Sequence, residues 1–334
     1  MNKMKNFLVI AICIISAIIF VSAGSKDISE SVTDSPVVRV SALKGPTAMG
    51  MVKLMKDADE GQSANTYSFS LTSIDEITPR IARGDVDIAA VPANLAAVFY
   101  NNAGKYQVMA INTLGVLYIV EKGNTIHSVE DLRGKTLYVA GNGAVPEYAL
   151  NYVLINNGLV PGKDVFIEFK SEPAEIIPFL LKDDNGIAML PQPFAATAQM
   201  KIEGLRIALD LTKEWDSVAT EIAKDGSSFV TSVMVVKKDF ADQYPELVKT
   251  FAEEYQASTA WVNSHVPEAA VLVGNTGIAE SKVAEIALPY CNITYIDGLN
   301  MKEKMSGYLQ TLYDQNPKSI GEKMPDEGFY YIAK

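Results

Sequence analysis

The chain has 334 residues, enough for one large or two medium domains, with 48% apolar and 21% charged residues, an ordinary balance for a packed protein. Its net charge of −11 comes from acidic and basic residues spread throughout, with no basic block, which argues against nucleic acid or an anionic membrane surface as partner. Two cysteines (Cys13, Cys291) and two histidines (His127, His265) leave little material for a disulfide framework or a metal cluster.

The chain opens like an export signal. Lys3 and Lys5 precede an apolar run over 7–21 broken only by Ser16, and Val21-Ser22-Ala23 offers small residues before a cut. The run is short for a membrane span, which takes about 20 apolar residues. Cleavage after Ala23 releases the protein into a periplasmic or other extracytoplasmic space. Gly24 stands where a lipidated cysteine would be, and Cys13 follows the bulky Ile12, so a lipid anchor has no good acceptor. With Cys13 gone, Cys291 has no internal partner and reads as a small core residue. Residues 24–35 are small and polar, a flexible leader.

From residue 36, strand-like and helix-like segments alternate. Strands are expected over 37–43, 67–71 and 87–91; helices over 46–56, with Met49, Val52 and Met55 on one side, and over 93–103. Ser73 and Glu76 make a capping box for a helix that stops at Gly84. Apolar runs at 108–111 and 116–120 follow. Ser128 and Asp131 then stand at capping-box spacing before a strand at 136–139, the loop Gly141-Asn142-Gly143, and a helix starting near Pro146. The rhythm continues through strands at 165–169, 187–190, 205–209 and 232–236, with helices across 176–181 and after Pro193. Beyond Tyr244 the spacing is helical over 245–265, 267–273, 281–288 and 300–313. This is the βαβ pattern of parallel sheets covered on both faces. No Pro- or Ser-rich linker interrupts it, so two domains must be joined by strands, with crossovers near Glu121 and Lys237.

Catalytic motifs are missing. There is no G-x-S-x-G, H-E-x-x-H or P-loop, and Gly141-x-Gly143 lacks the third glycine of a dinucleotide fingerprint. His127 and His265 have no Cys, His or paired carboxylate at ligand spacing, and Asp183-Asp184 and Glu253-Glu254 read as solvated faces. No enzyme activity, cofactor or metal is expected.

In open α/β sheets ligands sit beyond the carboxyl ends of strands. Four loops there carry unusual residues: Lys44-Gly45-Pro46-Thr47, Pro92-Ala93-Asn94, Gly141-Asn142-Gly143-Ala144, and Pro191-Gln192-Pro193. Ser73, Thr113 and Ser228 lie at similar junctions. Each loop offers backbone donors near a helix start and none carries an Arg or Asp, which suits a polar neutral or weakly anionic ligand. Tyr148, Phe194 and Phe229 are either a stacking wall or core.

The stretch 128–159, then Pro245-Glu246-Leu247-Val248 leading into Ala257, Trp261 and Val262, and Pro267-Glu268-Ala269-Ala270, resembles extracytoplasmic solute-binding proteins of ABC importers. The branch it resembles is the nitrate/sulfonate/taurine and thiamine-pyrimidine group, over roughly residues 37–324. The resemblance implies an α/β, two-lobed type II periplasmic-binding fold, each lobe a mostly parallel sheet flanked by helices, with the ligand cleft between lobes. After the signal (1–23) and leader (24–35), lobe one would comprise 36–121 and 237–334, and lobe two 122–236. It implies a monomer that captures a small polar organic or weakly anionic solute, sulfonate-like or pyrimidine-like, by hinge closure and delivers it to an ABC permease with its ATPase. The family's ligand-contacting loops fall by position on the four loops above, plus Ser73 and Ser227-Ser228. The alternatives are a binding protein feeding a chemoreceptor or kinase, and an exported enzyme on the same fold.

Overall fold

The computed structural model describes residues 36–332; the signal and leader read from residues 1–35 lie outside them. The strands in chain order are β1 (Val38–Leu43), β2 (Tyr67–Thr72), β3 (Ile88–Pro92), β4 (Tyr106–Leu114), β5 (Leu117–Lys122), β6 (Thr136–Ala140), β7 (Phe166–Lys170), β8 (Ile187–Pro191), β9 (Leu205–Asp210), β10 (Val230–Lys237) and β11 (Ile293–Ile296). The α-helices are α1 (Pro46–Met49), α2 (Val52–Asp59), α3 (Ile74–Arg83), α4 (Ala93–Ala103), α5 (Val145–Asn156), α6 (Pro173–Lys182) and α7 (Phe194–Lys201). They continue with α8 (Leu211–Ser217), α9 (Lys238–Gln243), α10 (Pro245–Ser264), α11 (Val266–Asn275), α12 (Ser281–Ala287) and α13 (Gly298–Gln315).

Two sheets result. The first has the order β11-β4-β10-β3-β1-β2 and the second β7-β6-β8-β5-β9. Each is mostly parallel, as expected, with four of six strands running one way in the first and four of five in the second, and each is mixed through its remaining strands. β1 runs parallel to β2 and β3, but β10 is antiparallel to β3 and β4, and β11 to β4. In the second sheet β6 runs parallel to β7 and β8, while β5 is antiparallel to β8 and β9. The antiparallel members are β5 and β10, the strands that each crossing enters, together with β11, and the βαβ rhythm cannot reveal them.

Alternation along the strands builds the core. In β3, Ile88 and Ala90 join one apolar cluster while Ala89 and Val91 join another on the opposite face. In β8, Ile187 and Met189 face the cluster shared with the first sheet, and Ala188 and Leu190 pack under α6 and α7. Strands buried on both faces read as continuous apolar runs, which made them visible in the sequence. The shared cluster holds Leu43 and Val91 from the first sheet together with Leu137, Val139 and Met189 from the second.

The crossings differ from the expected ones. β5 pairs with β8 and β9, so residues 117–121 belong to the second lobe, and β10 pairs with β3 and β4, so residues 230–236 belong to the first. The chain crosses first at Gly115-Val116 and returns between the ends of β9 and β10, residues 211–229. The expected helix over 46–56 is two helices, broken at Gly50, where a Cβ would lie 2.9 Å from both Ile293 and the Tyr255 hydroxyl.

Candidate functional site

Strand directions bring the expected loops to two facing ends. β4 runs with β1, β2 and β3, so the starts of α1, α3 and α4, the end of β4 and the start of β10 share one end of the first sheet. β9 runs with β6, β7 and β8, so the loops after these strands share one end of the second sheet. Both crossings join those two ends, which therefore face each other across the junction.

At the first sheet, Lys44 is exposed beside Ser73, and a cavity of about 600 Å³ is lined by Leu43, Lys44, Leu71, Thr72, Ser73, Ile74 and Glu76. The Thr72 hydroxyl donates to Glu76 Oε2 at 2.7 Å and the Ser73 amide at 3.1 Å; these bonds, Thr72 foremost, hold the Glu76 carboxyl below its ordinary pKa. Gly45 has φ 114, a conformation that glycine tolerates, and Pro46 starts α1. A buried polar network underpins this loop. Asn112 Nδ2 donates to Thr47 O at 2.9 Å, Ser232 Oγ to Asn112 Oδ1 at 2.7 Å, and Ser258 Oγ to Gly50 O at 2.7 Å. Asn112, Ser232 and Ser258 were missed in the sequence, though a polar residue inside an apolar strand was the signal for the first two; Ser258 lies on the buried face of α10. Pro92 precedes α4, and the Asn94 side chain turns to Ser319 O at 3.2 Å, a contact within the first lobe. Thr113 is buried and its hydroxyl has no partner.

At the second sheet, Gly141 (φ 96) and Gly143 (φ 69) shape the loop, and Asn142 and Ala144 are exposed. The Gly143 amide donates to Glu147 Oε2 at 2.6 Å. Tyr148 ties the loop to α13, its hydroxyl donating to Gly143 O and accepting from Asn316 Nδ2, both at 2.7 Å. Gln192 is 2% exposed. Its backbone amide donates to Val116 O at 2.9 Å, the bond to Pro193 is cis, and its side-chain Oε1 accepts the Ala196 amide at 3.2 Å. Gln192 Nε2 is left buried without a partner.

The two crossings lie against each other, with no room for a Cβ at Gly115 beside Phe229 and Thr212. Asn292, just before β11, bridges them: its Nδ2 donates to Gly115 O at 2.6 Å and reaches Thr212 Oγ1 at 3.3 Å, and its O accepts the Leu114 amide at 3.1 Å. Trp215 stacks on Tyr152 of α5 at 4.0 Å between centroids, on Phe229 at 5.5 Å, and leans on Tyr308 of α13 at 5.8 Å. Phe229 is thus core, not a ligand wall. Ser228 accepts from Lys304 Nζ at 2.9 Å. Nearby, burial lifts the Asp216 carboxyl above its ordinary pKa, against the opposing pull of Ser228 and Lys304. Glu214 is raised too, by burial and then by the charge of Asp210.

Among the described residues no group of three or more His, Cys, Asp or Glu is placed to hold a metal, and no helix is long and apolar enough to cross a membrane.

The fold resembles solved structures. An ABC transporter protein from Parabacteroides distasonis superposes with a TM-score of 0.74 at 23% identity, covering 89% of this chain and 99% of that one. The periplasmic aliphatic sulphonate binding protein SsuA of Escherichia coli gives 0.64 at 16% identity, over 86% and 96%. The alkanesulfonate-binding protein SsuA of Xanthomonas axonopodis pv. citri, bound to MOPS, gives 0.55 at 11% identity, over 86% and 94%. Comparison with the curated proteins gives no match. The sequence pattern of the NMT1/THI5-like family matches residues 104–270, half of the chain, spanning β4, the whole second sheet, β10, α10 and the first half of α11. The chain therefore belongs to the NMT1/THI5-like family, on a two-lobed α/β fold of the periplasmic-binding type.

Proposed function

We infer that the protein is the extracytoplasmic solute-binding component of an ABC importer, a monomer that closes over one small polar solute and presents it to a membrane permease with its ATPase. The carrying observation is Gln192 Nε2, a donor buried without a partner at the carboxyl end of β8. An unmatched buried donor costs about 1–3 kcal/mol, a cost that a bound acceptor removes. The facing strand ends, the two-stranded junction and the solute-binding proteins among its structural relatives support the same reading.

Native mass spectrometry of protein purified without denaturation tests it: one small-molecule adduct per chain is expected. Gln192→Ala should weaken binding by about 1–3 kcal/mol, and Asn142→Ala, in the exposed loop that follows the neighbouring strand β6, should weaken it as well. Unchanged affinity in both variants would place the solute elsewhere.

A further inference from the structure

The chain carries three Asn-Gly pairs, Asn142-Gly143, Asn157-Gly158 and Asn185-Gly186. In such a pair the glycine nitrogen can attack the asparagine side-chain carbonyl carbon, because no Cβ on the second residue crowds the approach and glycine turns freely about its backbone bonds. The fold decides which pair keeps that freedom.

At Asn157 both partners are held. The residue closes α5, its Nδ2 donates to Val153 O at 2.8 Å, and the Gly158 amide donates to Ile155 O at 3.0 Å. At Asn185 the side chain is exposed, but Gly186 is buried just before β8 and its amide donates to Asp183 O at 3.1 Å. In both pairs the nitrogen that would attack is tied to a backbone carbonyl, and freeing it undoes a turn.

Asn142-Gly143 is built differently. Both residues are exposed in the loop between β6 and α5, and the Asn142 side chain makes no hydrogen bond among the described residues. One bond closes the turn, from Ala144 N to Gly141 O at 3.1 Å. The Gly143 amide donates to a carboxylate, Glu147 Oε2, at 2.6 Å. A carboxylate is a far stronger base than a backbone carbonyl, and this short charge-assisted bond places it on the proton that the nitrogen must lose as it attacks.

We propose that Asn142-Gly143 is a self-modification site, where the chain converts asparagine to aspartate and isoaspartate with Glu147 as proton acceptor. The bond from Gly143 N to Asn142 Cγ forms, the Cγ–Nδ2 bond breaks, and the amide proton, passed through Glu147, leaves with ammonia. Water then opens the cyclic imide at Cγ, giving aspartate, or at the main-chain carbonyl, giving isoaspartate. Either product replaces a neutral amide by a carboxylate beside Glu147. Isoaspartate also adds a methylene to the main chain of a loop that is tied to the first lobe. Gly143 O accepts the Tyr148 hydroxyl, which accepts from Asn316 Nδ2, both at 2.7 Å. Solute retention therefore falls as the conversion proceeds. That consequence, unlike the modification itself, rests on the solute-binding reading above.

The test ages the full chain in mildly alkaline buffer at physiological temperature, with peptide mapping that resolves the three sites and separates aspartate from isoaspartate. Asn142 should convert about tenfold faster than Asn157 or Asn185, which must first give up backbone hydrogen bonds. In concentrated urea, where the fold is lost, the three rates should converge. Glu147→Gln keeps an oxygen for the Gly143 amide but removes the base, so it should slow Asn142 about tenfold and leave the other two sites unchanged. The share of chains carrying the co-purified adduct in native mass spectra should fall in step with conversion, and Asn142→Asp should reproduce the loss. Conversion at Asn142 no faster than at the other two sites of the folded chain overturns the proposal, and a parental rate in Glu147→Gln overturns the role of Glu147. Aged protein that keeps its adduct overturns the consequence for the cleft. Fresh protein with no adduct counts against the solute-binding reading, while the peptide map still decides the modification.

Discussion

Gly115 has no side chain because nothing else fits: a Cβ there would lie 2.2 Å from Phe229 Cδ1 and 2.3 Å from Thr212 Oγ1. Both neighbours belong to the returning crossing, so the outgoing segment is laid directly against it. Gly115→Ala should destabilise the protein by about 1–3 kcal/mol through overpacking, read as a lower urea midpoint. An unchanged midpoint would mean that the two crossings are not in firm contact. Single residues were unevenly legible in the sequence. Gln192 stood out as a polar residue between prolines at a strand end. Asn292 did not, because its role depends on a positive φ of 45 and on Gly115, far away in the chain. Cys291, buried against Met49 with its thiol pKa pushed up by burial, fits the core role read for it.

At the level of elements, the legible features were those set by local chemistry. Glu76 reaches back to the Ser73 amide, and α3 ends at Gly84 with φ 80, as the capping box and the glycine stop required. β11 was missed because four residues in a helical neighbourhood give too short a pattern, and the strand is defined mainly by its pairing to β4. The crossing was displaced for a related reason: β4 and β5 are both apolar and separated by two residues, and periodicity does not say which sheet a strand joins. β5 is fixed in the second sheet in part by Glu121, which accepts from Thr125 N at 2.7 Å, Thr125 Oγ1 at 2.6 Å, Ile126 N at 3.2 Å and Arg206 at 2.6 Å. Burial alone would raise this carboxyl, but those bonds outweigh it and hold its pKa below the ordinary value. A lowered folded pKa means that the stabilisation is fully present above the unfolded carboxylate pKa and fades as the pH falls through the folded one. Glu121→Gln should therefore cost about 2 kcal/mol at neutral pH, and its melting temperature should approach the parent's as the medium is acidified. A constant gap between the two proteins down to the acid limit would contradict this.

For the whole molecule, the lobes are connected by more than the two crossings. α7 packs on α12, α5 on α13, and the Tyr152–Trp215–Phe229–Tyr308 cluster runs from a helix of the second lobe to one of the first. Trp215 is fully buried at this joint, and the only other tryptophan, Trp261, lies on α10. In a Trp261→Phe background, binding of the solute should shift or quench the remaining emission. Emission that stays constant while native mass spectrometry shows full occupancy would place the movement elsewhere.

The contact between the crossings has a mechanical consequence. Two separate tethers would let one half of the protein swing, slide and twist against the other, giving a graded family of shapes. Under the proposed closure, two tethers pressed together at Gly115 and Phe229 would act as a single pivot with one easy direction of rotation. On the proposed solute-binding role, a body with one such freedom would report occupancy as a nearly binary change of outline, which the proposed membrane permease would read without ever touching the solute.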